Sequence, residues 1–324
     1  MKYLITGGAG FIGSYLAEYL LKRNHEVNVF DDLSTGRWSN ISHLQDFASF
    51  KFIHGDILDE DKLGKAISEV DQVFHLAAAV GVKYIYDNPV KSIIINIRGT
   101  ENVLNHCLEF LKKVFLASSS EVYGRDVRNN ESLRESDKIS LNPSLRLSYG
   151  ATKAANEILA AAIHKEKDFP LVIGRYFNTI GPRQIDTYGM VVPRFINQAL
   201  KNEPITVYGD GSQVRSFINV LDVVRASVKL MNNPKAEGEI FNIGSPTPIT
   251  IKKLAHKIKK IVSSQSEIVY IPYKQVYGTD FQDINYRVPN IEKLRKYIKF
   301  DPDRDLEKIL KKIVDFKRKM IRSS

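Results

Sequence analysis

Cysteine occurs once in the 324 residues, at Cys107, so no disulfide can form within the chain and a reducing compartment is compatible with it. Long apolar runs are missing too. The early stretch Tyr3-Leu4-Ile5 is far too short for a signal peptide or a membrane-spanning helix, so the expectation is a soluble, cytoplasmic protein with no membrane partner. No internal repeat or low-complexity segment is present, and no metal site is read from the chain. With 26% charged and 43% hydrophobic residues the composition is that of an ordinary globular protein, long enough for one large or two modest domains.

Acidic residues are too few to balance the basic ones, which leaves a formal charge of +10. The excess gathers late in the chain, at Lys257, Lys259, Lys260, Lys311, Lys312, Lys317, Arg318 and Lys319, mostly on amphipathic helical patterns. Solvated helix faces account for this, and a positive field draws in anionic substrates. No basic motif is interleaved with aromatics, so no nucleic-acid partner is expected.

The informative residues begin at the N-terminus. Lys2 to Thr6 is a short apolar run, followed by Gly7-Gly8-Ala9-Gly10-Phe11-Ile12-Gly13 and then a helical pattern from Ser14 to Arg23. The segment reads both as Gly8-x-Gly10-x-x-Gly13 and as Gly7-x-x-Gly10-x-x-Gly13, a turn in which backbone can approach a pyrophosphate at a helix N-terminus. Glu26 to Phe30 alternates and ends in Asp31-Asp32, about 20 residues beyond the glycines, where Asp31 can accept hydrogen bonds from an adenosine ribose. A carboxylate there repels a 2′-phosphate, so NAD is preferred, although Arg37 nearby could offset the repulsion. Candidate cofactor residues at this end are Gly7, Gly10, Phe11, Ile12, Gly13, Asp31 and Asp32.

Further strand-like runs occur at Phe50 to Ile53, Val73 to Ala79, Val114 to Ala117, Leu171 to Tyr176 and Ile240 to Ile243, with helical periodicities between them. Alternation of this kind predicts an α/β fold, a Rossmann-type doubly wound parallel sheet. From about Phe177 the rhythm changes, with helices near Val192 to Lys201, Leu221 to Met231 and Ile251 to Val262 separated by loops. The expected division is a dinucleotide-binding domain over 1–176, with a strand near 239–244 returning to it, and a smaller C-terminal substrate lobe over 177–324.

Tyr149 and Lys153 lie four apart on one face of a predicted helix running through Ala154, Ile158 and Ala162. A phenolate base near neutral pH needs a pKa lowered by ~3 units, or ~4 kcal/mol, and adjacent positive charge supplies it. Lys153 and an oxidised nicotinamide both qualify. Tyr270 and Lys274 share the spacing, but Pro272 between them argues against a helical face. Upstream, Ser118-Ser119-Ser120-Glu121 sits at a predicted strand end, where sites gather in open α/β sheets, and Ser119 can hydrogen-bond a substrate hydroxyl.

These residues, together with Asp56-Ile57, His75-Leu76-Ala77-Ala78, Val122-Tyr123-Gly124 and Tyr149-x-x-x-Lys153, resemble the extended short-chain dehydrogenases, the NAD-dependent nucleotide-sugar epimerase/dehydratase family. The likeness covers nearly the whole chain. It implies Asp56 and Ile57 near the adenine, Leu76, Ala77 and Ala78 along the cofactor path, Ser119 and Tyr149 at the sugar C4 hydroxyl, and Lys153 on the nicotinamide ribose. Arg175 to Gln184 resembles the family's loop around a diphosphate, with Asn178 contacting it. Tyr208 to Arg215 resembles the segment whose arginine, here Arg215, clamps the same group, and Met190 to Phe195, with Val192, is placed like the base-binding strip. UDP is the first choice of nucleotide. The resemblance also implies a homodimer, through a helix carrying Val103, Leu104, Cys107, Leu108 and Leu111 and a small-residue face of Ala154, Ala155, Ala161 and Ala162; the pattern alone fits an intramolecular core equally well.

The implied first step is hydride transfer from sugar C4 to NAD, and the fate of the resulting ketone is less determined. Ser120-Glu121 matches dehydratases and decarboxylases, and Arg287 before Val288-Pro289 resembles an arginine that decarboxylases direct at the substrate carboxylate. Ala79-Val80-Gly81-Val82-Lys83 lacks a decarboxylase-like proline, and Ser148 to Lys153 reads more like an epimerase. The reading is therefore a UDP-sugar 4-epimerase narrowly ahead of a UDP-glucuronate decarboxylase, with a 4,6-dehydratase third. A dinucleotide-binding sensor or scaffold is the non-enzymatic alternative, disfavoured by the intact Ser119, Tyr149 and Lys153.

Overall fold

The computed structural model describes residues 1–124, 131–141, 144–186, 190–277 and 284–323. In chain order the first half comprises β1 (Lys2–Thr6), α1 (Phe11–Leu21), β2 (Glu26–Asp31), β3 (Phe50–His54), α2 (Glu60–Ser68), β4 (Gln72–His75), α3 (Val82–Asp87), α4 (Pro89–Glu109), β5 (Lys113–Ser119), α5 (Ser148–Lys167) and β6 (Leu171–Tyr176). The second half continues with β7 (Thr179–Ile180), α6 (Val191–Leu200), β8 (Ile205–Tyr208), β9 (Val214–Ser216), β10 (Ile218–Asn219), α7 (Val220–Met231), β11 (Ile240–Ile243), β12 (Pro248–Thr250), α8 (Ile251–Val262), β13 (Ile268–Ile271), α9 (Tyr273–Tyr277), β14 (Tyr286–Arg287), α10 (Glu292–Ile298) and α11 (Leu306–Ser323).

Seven strands form one parallel sheet in the order β11-β6-β5-β4-β1-β2-β3. The chain winds outward from β1 in one direction and then, from β4, in the other. A crevice therefore opens beyond the C-terminal ends of β1 and β4, the place where such sheets bind ligands. Strands buried on both faces need apolar residues in their middle, and Tyr3 to Ile5 of β1 and Val114 to Ala117 of β5 read that way. One face packs Leu16, Leu20, Val223 and Leu294 against the sheet, and the other packs Leu63, Val103, Leu104 and Ala160. A separate core of Phe195, Ile196, Leu254, Ile258, Leu310 and Ile313 joins α6, α8 and α11 in the lobe. The late basic residues lie on α8 and α11, around helices whose apolar sides fill that core.

One expectation is corrected. The run Val73 to Ala79 is strand only as far as His75, because beyond it the backbone of Ala77 and Ala79 bonds to Thr6 and Asn96 side chains instead of a ladder. The face weighed for a dimer is split: Val103, Leu104, Cys107 and Ala154 are buried in the chain's own cores, whereas Leu111 is exposed. The exposed apolar side chains of α4 and α5 are Val90, Ile94, Ile97 and Ile158, with Ala155, Ala161 and Ala162 also at the surface. Tyr270 falls on β13 and Lys274 on α9, so that pair shares no helical face.

Candidate active site

A cavity of about 970 Å³ runs from the glycine turn past the ends of β1, β4 and β5 into the lobe. At one end the turn follows β1 directly. Gly7 has φ +71° and lies so close to the next loop that a Cβ would stand 2.7 Å from the Ala77 nitrogen; a Cβ on Gly13 would stand 2.3 Å from the Gly7 carbonyl oxygen. No side chain caps α1, which leaves its first-turn N–H groups, at Phe11, Ile12 and Gly13, to bind an anion. Asp31 closes β2, with Oδ2 accepting from the Ala9 N–H at 2.9 Å and Oδ1 from the Leu33 N–H at 2.9 Å. Each oxygen keeps a lone pair for a further donor. Burial pushes this carboxyl above its usual range, and the two N–H donors oppose the shift. Asp32 and Asp56 line the cavity and also cap local turns, at Ser34 and Leu58. The residues present thus fit a dinucleotide: open helix donors for its pyrophosphate, buried carboxylate acceptors for a ribose, and Ile57, Leu76, Ala77 and Ala78 along the wall.

In the middle of the cavity, β5 ends in Ser119, whose Oγ caps the following 3₁₀ turn by accepting from the Glu121 N–H at 3.2 Å. On α5, Lys153 is buried with Nζ donating to the Ala117 carbonyl at 2.8 Å, and lies 6.0 Å from the Tyr149 ring centre. Burial draws the Lys153 ammonium down to about 8, with Glu157 one turn along opposing the shift. The Tyr149 phenol runs against expectation. Burial and then the nearby Glu121 carboxylate push it well above its usual range, and only a hydrogen bond from Ser119 works the other way. The free protein thus keeps the phenol protonated, and further positive charge must arrive with the ligands for it to act as a base.

The far end is built by long-range pairing. Strand β14 lies parallel to β9 with Arg287 in register with Arg215, so two guanidinium side chains share one wall. Arg287 is buried; its Nη1 donates to Glu121 Oε1 at 2.5 Å, and its Nη2 is enclosed without a hydrogen-bond partner. Arg215 Nη1 donates to the Val214 carbonyl at 2.9 Å. Asn178 Nδ2 reaches the Ser216 carbonyl at 2.8 Å, Ser120 lies beside Glu121, and Val192 at the start of α6 lines the wall while also packing into the lobe core. Two arginines of the expected diphosphate loop are otherwise engaged: Arg175 forms a buried bidentate pair with Glu157, and Arg183 pairs with Glu18 at 2.6 Å and stacks on Tyr15.

Every residue singled out in the sequence for catalysis, cofactor or substrate thus lines the same cavity. Residues that reasoning missed lie behind it. Ser92, Asn96 and Thr100, spaced by four along α4 and all buried, form a polar stripe that a closer reading of the helical period would have found.

Comparison with known proteins agrees with this architecture. The model described as "NAD dependent epimerase/dehydratase family" matches residues 3–244. The chain belongs to the NAD-dependent epimerase/dehydratase family. Among its family relatives, the UDP-N-acetyl-alpha-D-glucosaminuronate decarboxylase of Bacillus cytotoxicus is 38% identical over 98% of each chain. UDP-glucuronic acid decarboxylase 1 of Arabidopsis thaliana is 34% identical over 99% of this chain and 71% of that protein. The solved UDP-glucuronic acid 4-epimerase of Bacillus cereus, in complex with UDP-glucuronic acid and NAD, superposes with a TM-score of 0.88 at 30% identity over 99% of this chain and 100% of that one. The family is enzymatic and NAD-dependent, and so is this chain.

Proposed function

We propose that this enzyme decarboxylates a UDP-linked sugar uronate through transient oxidation at C4. The observation that carries the reading is Arg287: a buried guanidinium at the wall of the catalytic cavity, with one nitrogen on Glu121 and the other without a partner. A buried donor left unpaired costs ~1–3 kcal/mol, which a substrate carboxylate would recover by accepting from the free side of the planar fork. Arg215 beside it suits the diphosphate, Asn178 the same group, and the apolar strip around Val192 a flat pyrimidine. Similarity to two UDP-uronate decarboxylases points the same way.

NAD, when bound, supplies the hydride acceptor and later the donor at C4. Tyr149 takes the C4 hydroxyl proton, Ser119 holds that oxygen, and Lys153 provides the cation beside the phenol. With C4 a ketone, the carboxylate at C6 is a β-keto acid. The C5–C6 bond breaks and C6 leaves as carbon dioxide, its electron pair moves toward the C4 oxygen held by Ser119 and Tyr149, C5 takes up a proton from water, and Tyr149 returns its proton to the C4 oxygen as the ketone is reduced. A guanidinium that grips the carboxylate fixes it for this bond cleavage.

Epimerisation at C4 is the second reading, favoured by the Ser148 to Lys153 segment and by likeness to the B. cereus 4-epimerase. Incubation with UDP-glucuronate and with UDP-N-acetylglucosaminuronate decides between them. Carbon dioxide and a pentose-type product are expected; a C4 epimer with the carboxylate retained would replace the proposal by the second reading. The exposed Val90, Ile94, Ile97 and Ile158 on neighbouring helices further suit a homodimer, so Ile158→Asp should shift the protein to monomer in sedimentation.

A further inference from the structure

Behind the cofactor wall lies a histidine that no catalytic role uses. His75, at the end of β4, is completely buried, with Nδ1 2.7 Å from Thr6 Oγ1 and Nε2 3.0 Å from Thr100 Oγ1. Proton bookkeeping fixes its form. Thr100 Oγ1 donates to the Asn96 carbonyl at 2.8 Å and accepts from Asn156 Nδ2 at 2.9 Å, so what remains to it is one lone pair, which needs a donor. Thr6 Oγ1 accepts from the Ala77 N–H at 3.3 Å, and its own proton finds an acceptor in Nδ1. Only with the hydrogen on Nε2 does every donor meet an acceptor. The opposite tautomer strands the Thr6 proton, and an imidazolium strands it too while placing a second cation near Lys153. Burial, and then Lys153, accordingly draw the imidazole down to about 3.

The chain of bonds ends where two walls of the cavity meet. Thr6 precedes Gly7, whose absent Cβ allows the closest approach to the Ala77 backbone, and Asn96 grips Ala79 from both sides, accepting from its N–H at 2.8 Å and donating to its carbonyl at 3.2 Å. We infer that neutral, Nε2-protonated His75 is a positioning residue: through Thr6 and Thr100 it sets the distance between the glycine turn and the Leu76–Ala79 wall, and hence the fit of NAD.

The test reads the imidazole of the full-length protein by ¹⁵N NMR with labelled histidine, and NAD affinity by calorimetry. Expected are an Nε2–H tautomer at neutral pH in both free and NAD-bound protein, and an NAD Kd raised about tenfold in Thr6→Val and in His75→Phe. The KM for a UDP-sugar at saturating NAD should stay within about twofold. An Nδ1–H or doubly protonated ring in the native protein would overturn the inference, whatever the variants do; so would unchanged NAD affinity in folded Thr6→Val. Since the tautomer and the NAD affinity do not depend on the fate of the sugar, failure here is separable from failure of the decarboxylase reading.

Discussion

The two ends of the cavity are weighted to opposite charges and are built in opposite ways. The end at the glycine turn is local: a strand, a glycine turn and a helix adjacent in sequence, with Asp31, Asp32 and Asp56 among its charged groups. The arginine-lined end is assembled from afar, Arg215 and Arg287 meeting only because β14 pairs with β9, and Glu121 joining them from the other half of the chain. A local site rests on steric permission that single glycines give; a remote one rests on buried charge that must be balanced on assembly. The two ends should therefore fail separately.

The sharpest division is at the centre, where both ends meet. Tyr149→Phe should lower turnover by ~10²–10⁴-fold, because the proton acceptor is lost, while NAD titrates with unchanged affinity. Near-normal turnover would remove Tyr149 from the chemistry. Arg287→Met comes next. Removing one member of a buried charge pair costs ~2–5 kcal/mol, so carbon dioxide release should fall by roughly 30- to 5,000-fold with NAD binding intact. If NAD binding fell as well, the ends would not be independent. Gly13→Ala reverses the pattern: its Cβ must displace the Gly7 carbonyl, an overpacking worth ~1–3 kcal/mol, so NAD should bind roughly 5- to 150-fold more weakly while UDP binding persists.

The smallest effect is one of pH. Lys153 loses its proton near 8 in the folded, ligand-free chain and near ~10.4 when unfolded. Between these values the unfolded state binds more protons, so stability should rise with pH there. Activity that needs the ammonium should fall over the same range, and opposite slopes of melting temperature and kcat/KM above pH 8 would identify this residue. Parallel slopes would assign the pH dependence to another group.

The difference between the ends also explains what the sequence made legible. The strands at Lys2 to Thr6, Leu171 to Tyr176 and Ile240 to Ile243, and the helix at Ile251 to Val262, were readable to the residue, because their periods and flanking turns are local signals. The glycine turn and the Tyr149/Lys153 spacing were legible for the same reason. The Glu121–Arg287 pair was not, since 166 residues separate its members and only strand pairing brings them together. Nor was the pairing of Arg183 with Glu18 on α1, which is equally remote in sequence. The phenol's raised pKa was hidden likewise, depending on a carboxylate that the fold places beside it.

Strand β11 has one more consequence. It leaves the second half of the chain, crosses back, and hydrogen-bonds along the open side of β6. A fragment ending near Phe177 would therefore present a bare, apolar sheet margin of the kind that recruits other chains into aggregates. The first half of the chain alone should express poorly as a module, and splitting the protein for engineering calls for cuts that keep residues 240–243 with it.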